Sequence, residues 1–423
     1  MNIELINTGT ELMLGYVLNT HHQWICRQLS DCGYVVARQV AVADTGHDIQ
    51  QTVREALSRA DLVITTGGLG PTSDDITRDL IAQLLERKLI QDDKVLGHVE
   101  EFFRTRRRPM PVATKVQALV PEHAVVLHNA HGTAPGLAIE VSPNPFRSGG
   151  NPSWLVMLPG PPRELHPMFT EQFIPLLLEK FPFRTAFVCH TLRTTGLGES
   201  VVEEKIAGPL KHLTDCGLDI GYCARTGEVD VRLSARGEPA TRQVEEADQI
   251  VRGLVGDYIF GENDDQLEGV IVRLLTERKQ TLALAESCTG GYIANRVTNV
   301  PGASAVLLAG LVTYGNEAKQ KFLGVRAETL VQHGAVSEAV AREMAEGARR
   351  ETGADYAIAV TGIAGPGGGT PDKPVGTTFI ALATDRHTFV LNPLNHYERE
   401  TFKYVTSQQA FELLRRISLG KNV

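Results

Sequence analysis

No close pair of cysteines marks a zinc or redox site: the six stand scattered at positions 26, 32, 189, 216, 223 and 288. They read as reduced core or surface residues. No apolar stretch reaches the roughly 18 residues a membrane span requires; among the longest is SAVLLAGLVTYG, which ends at Gly315. The start, MNIELINTG, has no basic segment followed by a signal-type apolar block. A cytoplasmic location is the expectation. Positive charge is not in excess, since 42 Lys and Arg face 50 Asp and Glu for a formal charge of −8, which argues against a general nucleic-acid binder. The local exception is Arg104, Arg106, Arg107 and Arg108 before PMP, a cluster that reads either as a solvated helix end or as an anion contact. What remains is an ordinary apolar share, 42% of 423 residues. That length is too great for one core and predicts two or three domains.

The pattern along the chain divides it into three blocks. In residues 1–175, IELINTGTELMLGYVLNTHHQWICRQL runs from a strand-like start through glycines into a helical pattern, and DLVITTGGLGPTSDDITRDLIAQLL repeats the plan. Strand, loop and helix in succession predict an α/β layer fold with a mostly parallel sheet. NPFRSGGNPSW reads as a hairpin excursion before the strand of LVMLPGPP. Residues 176–262 read as a small α+β connector, with a hairpin in DIGYCARTGEVDVRLSARG and no catalytic constellation. Residues 263–423 open on the polar GENDDQ and return to the α/β plan with a helix, LEGVIVRLLTERK, and a strand, TLALAES.

Chemistry is concentrated in the loops where strands end. Gly67, Gly68 and Gly70 allow a tight turn whose N–H groups can converge on an anion at the start of the next helix. Asp74 and Asp75 there are either acidic residues favoured in a helix's first turn or, with Glu11 from the parallel loop, a carboxylate set able to hold a divalent metal over a pyrophosphate. In the last block Ser287 falls at the carboxyl end of a short buried strand, and Thr289, Gly290 and Gly291 begin the next helix. A second strand delivers Thr361, Gly362 and a run of glycines; a third delivers Tyr314 and Lys319. Hydroxyls, glycine N–H groups and one amine could converge there on a phosphorylated amide. Taken singly, each has a structural alternative: Ser287 a helix cap, Tyr314 a packed ring, Lys319 a surface lysine.

Together these stretches carry a resemblance. TGTELMLG, TTGGLGPTSDDITRD, HNAHGTAPG and LPGPPRE resemble the amino-terminal molybdopterin-binding-like domain of the CinA family. AESCTGG, VTYGNEAK, GAVSEAVAREMAEGA and AIAVTGIAGPGGGTPDKPVG resemble that family's carboxy-terminal deamidase domain. The resemblance implies a three-layer front domain with metal-dependent ADP-ribose pyrophosphatase activity, using Mg, Mn or Co at Glu11, Asp74 and Asp75. It implies a KH-like connector, a rear α/β amidohydrolase domain that acts on nicotinamide mononucleotide (NMN) without a cofactor, and a homodimer. Carried over residue by residue, Ser287 is the nucleophile, Lys319 its base and Tyr314 a proton relay or donor. Thr289, Gly290, Gly291, Thr361 and Gly362 would hold substrate or oxyanion, Arg399 or Lys403 the phosphate, and Gly67, Gly68 and Gly70 a pyrophosphate. Departures from the family's usual pattern are His21, where NTHH replaces NTN, Thr114 in MPVATKVQA in place of the more usual Asn, and YERETFKY, which keeps Arg399 but offers Lys403 for a second Arg. Two other functions fit the same family: binding or processing of a molybdopterin-type cofactor by the front domain, and a non-enzymatic binding role in DNA uptake or damage response.

Overall fold

The computed structural model describes residues 1–182 and 186–421, and the chain divides into two compact units, Met1–Phe187 and Val188–Val423. In the first unit a six-stranded sheet has the spatial order Val36–Val42, Ile3–Thr8, Leu62–Thr66, Ser153–Leu158, Gly136–Val141, Val125–Leu127. The first four strands are parallel and the last two antiparallel. Alternation along the strands feeds two cores. Ile6, Val63 and Met157 pack with Ile49 and Val53 of helix Gly46–Leu57; Leu5, Ile64 and Val156 pack with Ile25 and Leu29 of helix Thr20–Asp31. Both faces are covered, which gives the three layers. The NPFRSGGNPSW segment is the excursion between two antiparallel strands, closed by the pair Val141 and Ser153. Leu177, on helix Ile174–Lys180, is buried in the front core, so the expected boundary at 175 falls inside an element of this unit.

The second unit joins the connector to the rear domain. The connector is a four-stranded sheet, in the order Asp219–Arg225, Glu228–Arg236, Phe187–Thr195, Ile259–Glu262, packed against helices Glu199–Thr214 and Ala240–Val255. Asp219–Arg225 and Glu228–Arg236 form the expected hairpin. The rear domain repeats the front plan in smaller form: Leu307–Val312, Leu282–Glu286 and Tyr356–Gly362 are parallel, and Thr378–Ala383 and Thr388–Leu391 are added antiparallel. Its two faces differ in kind. Leu282, Leu284, Ile358, Val360, Ile380 and Leu382 face one core, whereas Ala283, Ala285, Ala357, Ala359, Ala381 and Ala383 face the other. The alanine face lets helix Glu338–Thr352 lie close, and a side chain at Gly347 would stand 1.9 Å from the Leu323 carbonyl.

The carboxy-terminal helix Arg399–Ser418 ties the two parts of this unit together. Arg415 donates to the carbonyls of Ile259 at 3.0 Å and Asp257 at 2.9 Å in the connector, and it is buried. A fragment of residues 264–423 keeps every rear-domain motif but strips Arg415 of those acceptors. Calorimetry should therefore show residues 188–423 melting above 264–423, and Arg415→Ala should cost the longer fragment on the order of 5 °C more than the shorter. Equal losses in both fragments would place no weight on the connector contact.

Candidate functional site

Ser287 continues the fully buried strand Leu282–Glu286, and its N–H donates to the Val360 carbonyl at 3.0 Å on the neighbouring strand. The residue is thus fixed at the carboxyl edge of the sheet, where ligands of open α/β sheets collect. Ser287 and Cys288 both line a cavity of about 200 Å³, and Cys288 also packs into the apolar core with Leu284 and Val360. Gly362 makes room for that thiol: a Cβ on it would meet Cys288 Sγ at 3.2 Å and the Thr377 carbonyl at 2.8 Å.

Lys319 comes from helix Asn316–Leu323 and is 1% exposed. Its Nζ lies 3.1 Å from Ser287 Oγ, and it donates to the Thr313 carbonyl at 2.8 Å and the Tyr314 carbonyl at 3.1 Å. Burial pulls its pKa below the ordinary lysine value, against a smaller upward pull from Cys288. Burial pushes the Cys288 thiol up to about 12, so it stays protonated and unreactive near neutral pH. The same low-dielectric surroundings therefore favour a neutral amine and disfavour a thiolate.

Other predicted residues divide by position. Tyr314, Thr361, Gly362 and Arg399 line the cavity with Ser287 and Lys319. Thr361 Oγ1 donates to the Ala335 carbonyl at 2.8 Å, which brings the GAVSEAV turn to the site. Tyr314 is 60% exposed; Arg399 donates to its hydroxyl and to the Gly365 carbonyl, both at 3.0 Å, so the pair forms the mouth. Thr289, Gly290, Gly291 and Lys403 do not line the cavity. The turn they were expected to offer an anion is already occupied by a buried carboxylate of the chain: Glu286 accepts from the N–H groups of Gly291 at 3.0 Å, Ile293 at 3.1 Å and Ala294 at 2.8 Å. Glu286 is easily missed in the sequence because it is the last residue of an apolar strand, next to a more conspicuous serine. Lys403 lies instead over the Tyr292 ring, 5.4 Å from its centroid.

In the front unit a cleft of about 570 Å³ opens at the corresponding sheet edge, and Glu11, His21, Asp74, Asp75 and the glycines at 67, 68 and 70 line it. The turn requires glycine: Gly67 and Gly68 have φ of 98° and 67°, and Cβ atoms there would stand 2.7 Å from Thr8 Oγ1 and 2.0 Å from Thr77 Oγ1. Two of the carboxylates differ in commitment. Asp75 accepts from the N–H of Thr72 at 3.0 Å and from its hydroxyl at 2.5 Å, whereas Asp74 is exposed. Among the described residues, no three His, Cys, Asp or Glu side chains are grouped to hold a metal ion. As a metal cage made by the protein alone, Glu11, Asp74 and Asp75 do not fit. His21 is held below the usual histidine pKa by burial, opposed by the Gly160 backbone. Thr114 is buried beneath the surface and does not line the cleft.

Three family models match the chain in succession: a molybdopterin-binding domain over residues 4–179, the KH domain of damage-inducible protein CinA over 189–261, and the CinA C-terminal domain over 264–418. Among curated proteins, a CinA-like protein of Akkermansia muciniphila is 43% identical and covers 97% of this chain and 96% of its own length. One from Kosmotoga olearia is 38% identical and covers 99% of both chains. Among solved structures, a competence/damage inducible protein of Agrobacterium tumefaciens is 38% identical over 37% of this chain and 98% of its own, with a TM-score of 0.35.

The contrast between Ser287 and Cys288 is measurable without substrate. In peptide mass spectrometry after iodoacetamide at neutral pH, the exposed Cys216 and Cys223 should be alkylated while Cys288 is spared. Alkylation of Cys288 as fast as theirs would contradict its burial and raised pKa.

Proposed function

Because the chain belongs to the CinA family, we propose that its rear domain is an amidohydrolase that converts NMN and water to nicotinate mononucleotide and ammonia. The single observation that carries the reading is the placement of Lys319 Nζ, 3.1 Å from Ser287 Oγ and tied to two backbone carbonyls. A neutral amine has two N–H bonds and one lone pair. With the Thr313 and Tyr314 carbonyls taking the N–H bonds, the lone pair is aimed at the Ser287 hydroxyl.

That orientation sets the order of events. Ser287 Oγ adds to the carboxamide carbon as its proton passes to Lys319, and the pyridinium ring's positive charge makes that carbon electrophilic. Lys319 then returns the proton to the amide nitrogen, ammonia leaves, and an ester to Ser287 remains. Water attacks the ester with Lys319 again taking the proton, and the carboxylate product departs as Ser287 regains it. A lysine kept neutral by burial also spares the cationic ring a like charge at close range. At about 200 Å³ the cavity is smaller than the roughly 300–1,000 Å³ of a whole small-molecule site. The pyridinium carboxamide enters, and the ribose phosphate extends to the mouth, where Arg399 and Tyr314 meet it.

For the front cleft we infer binding of a nucleotide pyrophosphate such as ADP-ribose, supported by the glycine turn at 67–70. A molybdopterin-type ligand is the other reading of that cleft. Calorimetric titration with ADP-ribose should show binding that Gly68→Ala removes, and absence of binding to the parent chain would favour the molybdopterin reading. The family reading also makes the chain a homodimer, a state that analytical ultracentrifugation measures.

Ammonia release from NMN should fall about 10²–10⁴-fold in Lys319→Ala and at least as far in Ser287→Ala, with Cys288→Ala near the parent rate. Lys319→Arg should not rescue, because a guanidinium stays charged. The folded pKa of Lys319 lies below its unfolded value, so the neutral base accumulates as pH rises through that lowered pKa. The kcat–pH profile should therefore rise and level off below the ordinary lysine range. A flat profile, or full activity in Ser287→Ala, would remove the dyad from the mechanism.

A further inference from the structure

A buried chain of polar groups runs from the connector to both elements that frame the deamidase site. It begins at Arg193, fully buried, whose guanidinium donates to Asp230 Oδ1 at 3.0 Å, to the Asp265 carbonyl at 2.6 Å and to Glu228 Oε2 at 2.6 Å. The other oxygen of Glu228 accepts from Gln408 Nε2 on the carboxy-terminal helix. Gln408 Oε1 in turn accepts from Arg296 Nη2 at 2.5 Å, and Arg296 also donates to Glu268 and to Ser407 Oγ, each at 2.6 Å.

Gln408 is the joint of this chain. An amide offers donors at one end and an acceptor at the other, and here a carboxylate holds the first and a guanidinium the second, so its orientation is set from both sides. Arg296 sits on helix Tyr292–Thr298, which begins five residues after Ser287 and whose first N–H groups Glu286 holds. Gln408 sits on the helix that starts with Arg399, the residue bonded to Tyr314 at the mouth. The nucleophile's turn and the mouth's arginine therefore share one buried amide, whose donor end is anchored in the connector. Replacing such a network by apolar packing of equal volume is often neutral or stabilising, whereas removing one partner leaves a buried charge uncompensated.

We infer that Glu228 and Gln408 are positioning residues of the deamidase site, so that the connector is a working part of the catalytic unit. This rests on the deamidase reading of Ser287 and Lys319. In Gln408→Glu two carboxylates face each other; in Glu228→Gln the carboxylate shared by Arg193 and Gln408 is lost. The double variant restores a donor on one side and an acceptor on the other, with the sense of the Gln408 to Glu228 bond reversed.

The test uses the full-length chain, with three readouts: kcat and KM for NMN, the rate at which a fluorophosphonate labels Ser287, and the melting temperature. Each single variant should lose about tenfold in both kcat and labelling rate, and the double variant should recover most of both. A merely structural role would lower the melting temperature while leaving both rates per folded molecule unchanged; that result, or failure of the double variant to recover, overturns the inference. Should the parent chain release no ammonia from NMN, the deamidase reading fails, and the labelling rates still decide whether the connector positions Ser287.

Discussion

Everything at the rear site depends on where one buried amine is held. Lys319 is almost wholly removed from solvent, and an ammonium in that position gives up hydration that two backbone carbonyls and one hydroxyl only partly replace. The cost of charging it is what lowers its pKa. It also requires the surrounding framework to be rigid, because a lysine able to swing into water would return to its ordinary pKa. Helix Asn316–Leu323 supplies one anchor, and the carbonyls of Thr313 and Tyr314, at the end of an edge strand, supply the other.

Front and rear domains solve one placement problem with the same device. Each has a core of parallel strands with antiparallel strands added at one side, and each gathers loops from parallel strands at their carboxyl ends. The loops differ in what they must admit. In front, the glycine turn leaves no space for a Cβ at Gly67 or Gly68, consistent with a ligand approached by backbone N–H groups. At the rear, the comparable turn after Ser287 is already capped by Glu286, and the side chains of Ser287, Lys319, Thr361 and Arg399 line the cavity.

Much of this was legible in the sequence. Strand-to-glycine transitions pointed to the two sheet edges where the cavities lie, and the quoted motifs marked Ser287, Tyr314, Lys319, Thr361 and Arg399, which the fold brings around one of them. What was not legible is long-range or directional. Residues 289–291 have the composition of an anion-binding turn, and only the fold reveals that Glu286 fills it. Lys403 stands one helical turn after Arg399, yet its side chain lies on Tyr292 rather than at the mouth. The three carboxylates in front share a cleft, yet among the described residues no three such side chains are grouped to hold a metal ion. The division of the rear sheet into a leucine face and an alanine face depends on pairing partners far apart in the chain. So does the Glu228 and Gln408 contact, across 180 residues.

The proposed mechanism stands or falls on whether Ser287, activated by Lys319, carries the acyl group. Rapid acid quench of the full-length enzyme during turnover of NMN, with peptide mapping of the quenched protein, tests it directly. The expected product is a nicotinate mononucleotide ester on the peptide containing Ser287, localised to that side chain and absent from Lys319→Ala. An adduct on Cys288, or product formation with no acyl-enzyme at any quench time, would contradict it.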